Sequence, residues 1–427
     1  MSDHATNTTS KSLLAGGSIL AVAMFAANGG NYLLNVVLGR WLDPPQFADA
    51  NLMVTLMLLV TAIAVSLQLI AARFAGIHVV SGEAKQTRLL ARSLERWAFG
   101  TGVLLAVVLA AGAPMWAAFF NSASAWPFVI LGVGMPAYLV QAVGRGVLQG
   151  QLAFRPLAGT FVKEMIVRVV LGVALVWAGF GVIGATIALS ASFIATWFVV
   201  RLALGWDRNE DTERQPIGRD VINYAGPVGV LLLGQIIVNN GDVLISKQGL
   251  EPTTAGVYAA IALVGRAVFF LSWSVATTLF PAAAQRDEAG EKSNGLLHGG
   301  LAAVAVLGVC AVVGARLLGG TVLGRVFGAA YADVSRQLAL YALATAVFAM
   351  ANLVVSHYLA LGELREALIM LGGAGLQTVL LLTADKSIDS LITAQVIAMS
   401  ILFVAVLGSH LARVSRPIAV ATQGVPT

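Results

Sequence analysis

Twelve long apolar stretches, separated by short polar breaks, run the length of this 427-residue chain. They fall at about 13–38, 48–73, 96–119, 125–146, 157–180 and 182–204, then 220–247, 254–280, 296–318, 333–359, 364–383 and 388–411. A helix rises about 1.5 Å per residue and a bilayer's hydrocarbon core is about 30 Å thick, so each stretch is long enough to cross it. In lipid every backbone N–H and C=O must be paired within the segment, which favours helices. The expectation is an all-α integral membrane protein with about 12 transmembrane helices. Only 11% of the residues are charged, against about 25% in typical soluble domains, and 58% are hydrophobic. That balance excludes a soluble enzyme.

The first stretch is too long for a signal-peptide core and lacks a short apolar region ending in Ala-x-Ala, so it reads as a retained helix. Lys and Arg then test the topology. With the N-terminus inside, 18 of them fall in cytoplasmic segments and six outside, while Arg168 and Arg266 lie within spans. This asymmetry obeys the positive-inside rule and puts both termini in the cytoplasm of a multi-pass protein of the inner (cytoplasmic) membrane. Arg316, Arg325 and Arg336 run against it, in the loop between the ninth and tenth spans. The net charge of +5 is spread along the chain rather than gathered in an arm, so no nucleic acid partner is expected. Cys310 is the only cysteine, and the five histidines form no zinc-ligand spacing, so no metal site is expected.

The most polar break, Gly205 to Asp220, divides the spans six and six. The organisation read from it is a bundle over 1–204, a cytoplasmic linker over 205–219, and a second bundle over 220–427 with a short tail. The halves echo each other at an offset of 208 residues, which matches Asn31 with Asn239, Leu42 with Leu250, Asp43 with Glu251 and Pro44 with Pro252. An even number of helices per half makes this a parallel pseudo-repeat, and two such bundles enclose a central cavity.

Three stretches carry a resemblance. They are LNVVLGRWLDPPQFADANLMVTLMLLV (Leu34 to Val60), VGRGVLQGQLAF (Val143 to Phe154) and NNGDVLISKQGLEPTTAGVYAAIALVGRAVFFLSWSVATTLFP (Asn239 to Pro281). With the number and order of spans, they resemble the bacterial oligosaccharide and polysaccharide flippases of the MOP exporter superfamily. The resemblance implies a MATE-like transporter fold of two six-helix bundles. It implies a cargo that is a polyprenyl-diphosphate-linked oligosaccharide, moved by alternating access for cell-surface polysaccharide synthesis. Peptidoglycan-precursor flippases of the superfamily generally carry extra spans, which this chain lacks, whereas its drug exporters share the architecture.

Polar groups inside apolar spans are costly and therefore mark candidate sites. Asp242 is read as the one acidic side chain within a span, either a contact for a coupling ion or polar cargo, or a structural lock. Lys247, five residues on, is expected to snorkel to the headgroups rather than pair with it. Arg266, central in the eighth span, suits a diphosphate or acidic sugar, or pairs with Asp242. Asn28, Asn31 and Asn35 share one face of the first helix, with Arg40 at its end. Asn239 and Asn240 flank the related place in the second half, with Gln68 and Gln235 lesser members. These amides either face sugar hydroxyls in a cavity or join helices. Arg145, Arg155, Lys163 and Arg168 form an inner vestibule for a diphosphate, although topology alone predicts much of that charge. Arg168 also stands four residues after Glu164, a favourable pairing. Lys85, Arg88, Arg92 and Arg96 read as an amphipathic anchor on anionic lipid. His357 is either a proton carrier or a packed polar residue.

The chain contains no Gly-x-x-x-x-Gly-Lys-Ser/Thr motif, so ATP hydrolysis by it is not expected. The function expected is secondary transport without a catalytic residue or cofactor, with proton or sodium coupling open. The partners expected are a lipid-linked saccharide, membrane lipids, and a polysaccharide polymerase or glycosyltransferases of the same pathway. Two other readings stay open: a multidrug or amphiphile exporter, and a non-transporting scaffold of an export complex.

Overall fold

The computed structural model describes residues 2–206, 219–269, 294–360 and 365–414, and the side chains of 16–206, 229–269, 295–358 and 365–413 except 231 and 296. Among these, all regular structure is helical: α1 (Ser2–Trp41), α2 (Pro44–Val80), α3 (Ala84–Ala111), α4 (Ala113–Phe119), α5 (Trp126–Gly150), α6 (Phe154–Trp177), α7 (Gly181–Leu204), α8 (Arg219–Gly249), α9 (Pro252–Gly265), α10 (Asn294–Val326), α11 (Ser335–Ala360), α12 (Arg365–Thr383) and α13 (Ile388–Val414). A helix lies at each of the twelve expected spans. Ten of them, among the described residues, are long and apolar enough to cross a membrane. The other two are α6, which carries Arg155, Lys163, Glu164 and Arg168, and the 31-residue α8. The chain is a multi-pass membrane protein. The polar break at 207–218, Arg286, Lys292 and the end of the eighth expected span lie outside the described residues.

Several helix limits differ from the expectation, and two of the differences have a local cause. α2 begins at Pro44 because Asp43 caps it: its carboxylate accepts from the Gln46 backbone N–H at 2.9 Å, and proline fills the first turn, where a missing N–H costs nothing. α3 begins at Ala84, twelve residues before the apolar stretch. Its first turns bury Leu89, Leu90 and Leu94 on one face while carrying Lys85, Arg88, Arg92 and Arg96. A hydropathy reading places such amphipathic turns outside the span.

The chain packs as two compact units. One comprises residues 1–262, 319–334 and 386–388, and the other 263–318, 335–385 and 389–427. These are not the two halves separated by the polar break, since α8 and most of α9 pack in the first unit, α8 along α2.

In the first unit, α5 is the central helix, packed by α2, α3 and α7, with α1, α6 and α7 forming a second layer. Phe128, Leu131, Met135, Leu139 and Val143 of α5 are fully buried against Leu52, Met53, Leu94 and Phe193. Gly146 and Gly150, within one of the stretches that carry the resemblance, let α5 lie directly on the α2 backbone. A Cβ on Gly146 would overlap the Gln68 carbonyl oxygen, and one on Gly150 the Ala72 carbonyl oxygen. This is the small-residue contact that membrane helices use where apolar burial supplies no drive. In the second unit, Val268, Ala342 and Ala346 form a small core with Ala311, Val312 and Ala315.

Candidate functional site

The first unit contains a buried polar strip. Arg145, on the last turns of α5, donates from Nη2 to Glu164 Oε2 at 2.7 Å and from Nε to Thr160 Oγ1 at 3.0 Å. Arg168, one turn along α6 from Glu164, donates from Nη2 to Glu164 Oε1, from Nε to Ser192 Oγ at 3.2 Å and from Nη1 to Asn31 Oδ1 at 3.1 Å. Each guanidinium also lies over a ring: Arg145 is 4.1 Å from the Phe161 centroid and Arg168 5.4 Å from that of Phe193. All three charged residues are buried. Two guanidiniums around one carboxylate leave an excess positive charge within a low-dielectric bundle, held by neutral hydroxyl and amide partners.

The strip continues along α5. Tyr138 Oη and Thr61 Oγ1 are 2.7 Å apart, and Tyr138 packs on Phe193 with ring centroids 4.4 Å apart. Gln141 stands three residues after Tyr138 and four before Arg145, on the same helical face. Its side chain is buried, and neither its oxygen nor its nitrogen has a hydrogen-bond partner among the described residues.

The expected vestibule therefore divides. Arg145 and Arg168 come together around Glu164, whereas Arg155 and Lys163 are exposed and outside the network. The amide stripe divides too. Asn31 reaches Arg168, Asn35 donates from Nδ2 to the Asn31 carbonyl at 2.8 Å, and Asn28 and Arg40 are exposed. In the related helix, Asn239 and Asn240 bond back to the carbonyls of Gln235 and Ile236 at 3.2 and 3.0 Å. Gln235 is buried, and Gln68 donates to Gln149 at 2.9 Å. Asp242 is fully buried and accepts from Tyr258 Oη at 3.0 Å; Arg266 donates from Nε to Tyr341 Oη at 3.1 Å.

Two expectations need correction. Asp242 is not the only acidic residue in a span, since Asp49, Glu164 and Glu366 are buried as well. Asp49 and Glu366 sit near helix starts, where a single sequence does not separate a membrane-interior carboxylate from an interfacial one, and Glu164 lies mid-helix in α6. Lys247 does not snorkel. Its side chain is only 2% exposed, with Nζ 2.9 Å from Asp49 Oδ1.

The second unit has its own polar network. Glu366, fully buried, accepts from Ser409 Oγ at 2.9 Å and pairs with Arg413 Nη2 at 3.1 Å. Arg413 lies 4.8 Å over the Tyr358 ring, and Tyr358 Oη is 2.7 Å from His410 Nδ1. His298 meets the His410 ring edge-on at 5.8 Å. His357, the expected carrier, packs against Tyr358. Among the described residues, no group of three His, Cys, Asp or Glu is placed to hold a metal ion.

A bundle of long apolar helices with charged networks inside it defines a class of polytopic membrane protein, and solved structures give that class a fold. The chain is similar to a multidrug resistance MATE family transporter of the MOP superfamily in its inward-facing conformation, with 13% identity, 90% of this chain and 94% of the other covered, and a TM-score of 0.76. It is similar to the lipid II flippase MurJ in an inward closed conformation, with 13% identity, coverage of 92% and 87%, and a TM-score of 0.72. A MOP superfamily transporter from Pyrococcus furiosus, described as having a binding pocket of reverse polarity, gives 14% identity, coverage of 94% and 96%, and a TM-score of 0.57. The fold is thus that of the MOP superfamily transporters. The chain itself belongs to the family described as polysaccharide biosynthesis protein, whose model matches residues 37–336. No curated protein sequence matches it.

Proposed function

We propose that the chain is a flippase that turns a polyprenyl-diphosphate-linked oligosaccharide across the cytoplasmic membrane by alternating access of two parallel six-helix halves. The observation that carries this reading is membership of a polysaccharide biosynthesis family on a transporter fold that a lipid II flippase shares. The polar interior supports it. A diphosphate needs positive charge out of water, and the first unit holds two guanidiniums against one carboxylate, next to the open amide of Gln141. Arg266, Asp242, Asn239 and Asn240 extend the cargo path in this reading, with Asn28, Asn31, Asn35, Arg40 and Gln235. Both termini face the cytoplasm, which agrees with the distribution of Lys and Arg. Transport is then driven by a proton or sodium gradient or by consumption of product outside, and a polymerase or glycosyltransferase is the natural consumer.

The test is reconstitution in vesicles with a fluorescent polyprenyl-diphosphate saccharide and a leaflet-specific quencher. Protein-dependent redistribution is expected, slowed at least tenfold by Arg266→Ala in a variant that remains monodisperse. Absence of redistribution under imposed proton and sodium gradients, together with export of cationic amphiphiles from the same vesicles, would overturn it. That second activity is the one the likeness to the multidrug transporter favours.

A further inference from the structure

Lys247 and Asp49 come from opposite halves of the sequence and meet in the first unit. Asp49 lies two turns into α2 and Lys247 on the last turn of α8, and their side chains are 8% and 2% exposed. The short segment after α4 closes around them. Lys247 Nζ donates to the Asn121 carbonyl at 3.0 Å, the Ala123 N–H donates to Asp49 Oδ2 at 3.3 Å, and Asn121 Nδ2 returns a bond to the Gln248 carbonyl at 3.2 Å. Asn121 holds a left-handed backbone with φ of 49°, a conformation that few residues besides glycine and asparagine adopt readily. Here it aims its carbonyl at the buried ammonium.

The same end of the unit has two more close approaches between the halves. Gly256, near the start of α9, lies so near Pro44 that a Cβ would overlap the Pro44 carbonyl oxygen. Gly39 lies against Phe327, where a Cβ would overlap Cδ1 of the ring, and the Phe327 centroid is 5.8 Å from that of Phe47. Tyr331, beside Phe327, has its phenol pushed up to about 12 by burial and by the Asp43 carboxylate. All these residues sit at hairpins that the charge distribution assigns to the outer face. Glycine and aromatic contacts can slide apart without leaving a charge behind. A buried ion pair cannot, because either partner alone is strongly destabilised out of water.

The repeat makes the pair one-sided. At the offset of 208 residues, Asp49 corresponds to Val257 and Lys247 to Gly39, so the symmetry-related place has no second ion pair. We infer that the Asp49–Lys247 pair is a single electrostatic latch on the outer face, closed in this structure, which must part each time cargo leaves outward. The inference rests on the alternating-access reading. It assigns Asn121 as the positioning residue that holds Lys247 in register with Asp49.

The test reads opening without cargo. In the full chain with Cys310→Ser, Ser246→Cys provides a thiol at a buried position beside the latch. A membrane-impermeant maleimide is applied from outside to right-side-out vesicles, and the labelling rate is measured. Asp49→Asn and Lys247→Met are each expected to raise that rate at least tenfold, and the two together no further than the larger single effect. Unchanged rates in the single variants would overturn the latch, as would single effects that multiply in the double variant. If Lys247→Met is not monodisperse, the near-isosteric Asp49→Asn decides alone: a raised rate supports the latch and an unchanged rate overturns it. A chain that labels as expected but flips no saccharide retains the latch and loses the cargo assignment.

Discussion

The two buried carboxylates Glu164 and Glu366 are held alike and balanced differently. Each accepts from arginine, and each network includes a hydroxyl: Thr160 and Ser192 in the first unit, Ser409 in the second. Glu164, however, lies between two arginines that are both about a tenth exposed, whereas Glu366 faces one arginine whose side chain is 25% exposed. The first network carries a surplus positive charge whose two guanidiniums are both nearly buried. The second is neutral as a pair, and its arginine can rehydrate. Similar residue types thus give a permanent anion-attracting field in one unit and a tie between helix ends in the other.

The sharpest way to break the comparison is to remove each carboxylate. Glu164→Gln leaves two guanidiniums buried without a counter-charge and is expected to cost about 3–5 kcal/mol, whereas Glu366→Gln is expected to cost about half as much because Arg413 can turn outward. Chemical unfolding in detergent, followed by circular dichroism, ranks the two. Equal losses would mean that rehydration of Arg413 does not matter. A smaller effect is expected from Gly146→Leu, which forces α5 off α2 and carries Arg145 away from Glu164. Overpacking of this kind costs about 1–3 kcal/mol, and Gly146→Ala should lie between it and the parent chain in the same assay. The smallest change is Asn31→Ala, which removes one neutral partner of Arg168 for about 1 kcal/mol. If it costs as much as Glu164→Gln, Asn31 rather than the carboxylate anchors the network.

Much of the helix plan was legible because apolar length is a local property. Twelve stretches long enough to cross a bilayer name twelve helices whatever their neighbours are. Asn31 and Arg168 were legible for a related reason, since a polar group on an apolar helix has to be accommodated, whereas Arg145 read as a cation bordering a cytoplasmic loop. The partners were not legible. Glu164 could be paired with Arg168 from helical spacing, but Arg145 joins them only through packing of α5 against α6. Asp49 and Glu366 sit a turn or two from helix starts, where burial depends on what covers them. Lys247 looked like a snorkelling lysine because nothing near it in sequence reveals Asp49. The early start of α3 was hidden for the opposite reason, its charged face masking the leucines on the other.

The contact of Gly146 and Gly150 with the α2 carbonyls has a mechanical consequence. Where helices meet through long side chains, rotamers can absorb a small sliding motion before either backbone responds. Here backbone lies on backbone, with no such slack, so α2 and α5 should turn together as one strut. Asp49 stands near one end of that strut and Arg145 near the other. A tilt that frees Asp49 from Lys247 would therefore arrive, undamped, at the guanidinium that holds Glu164.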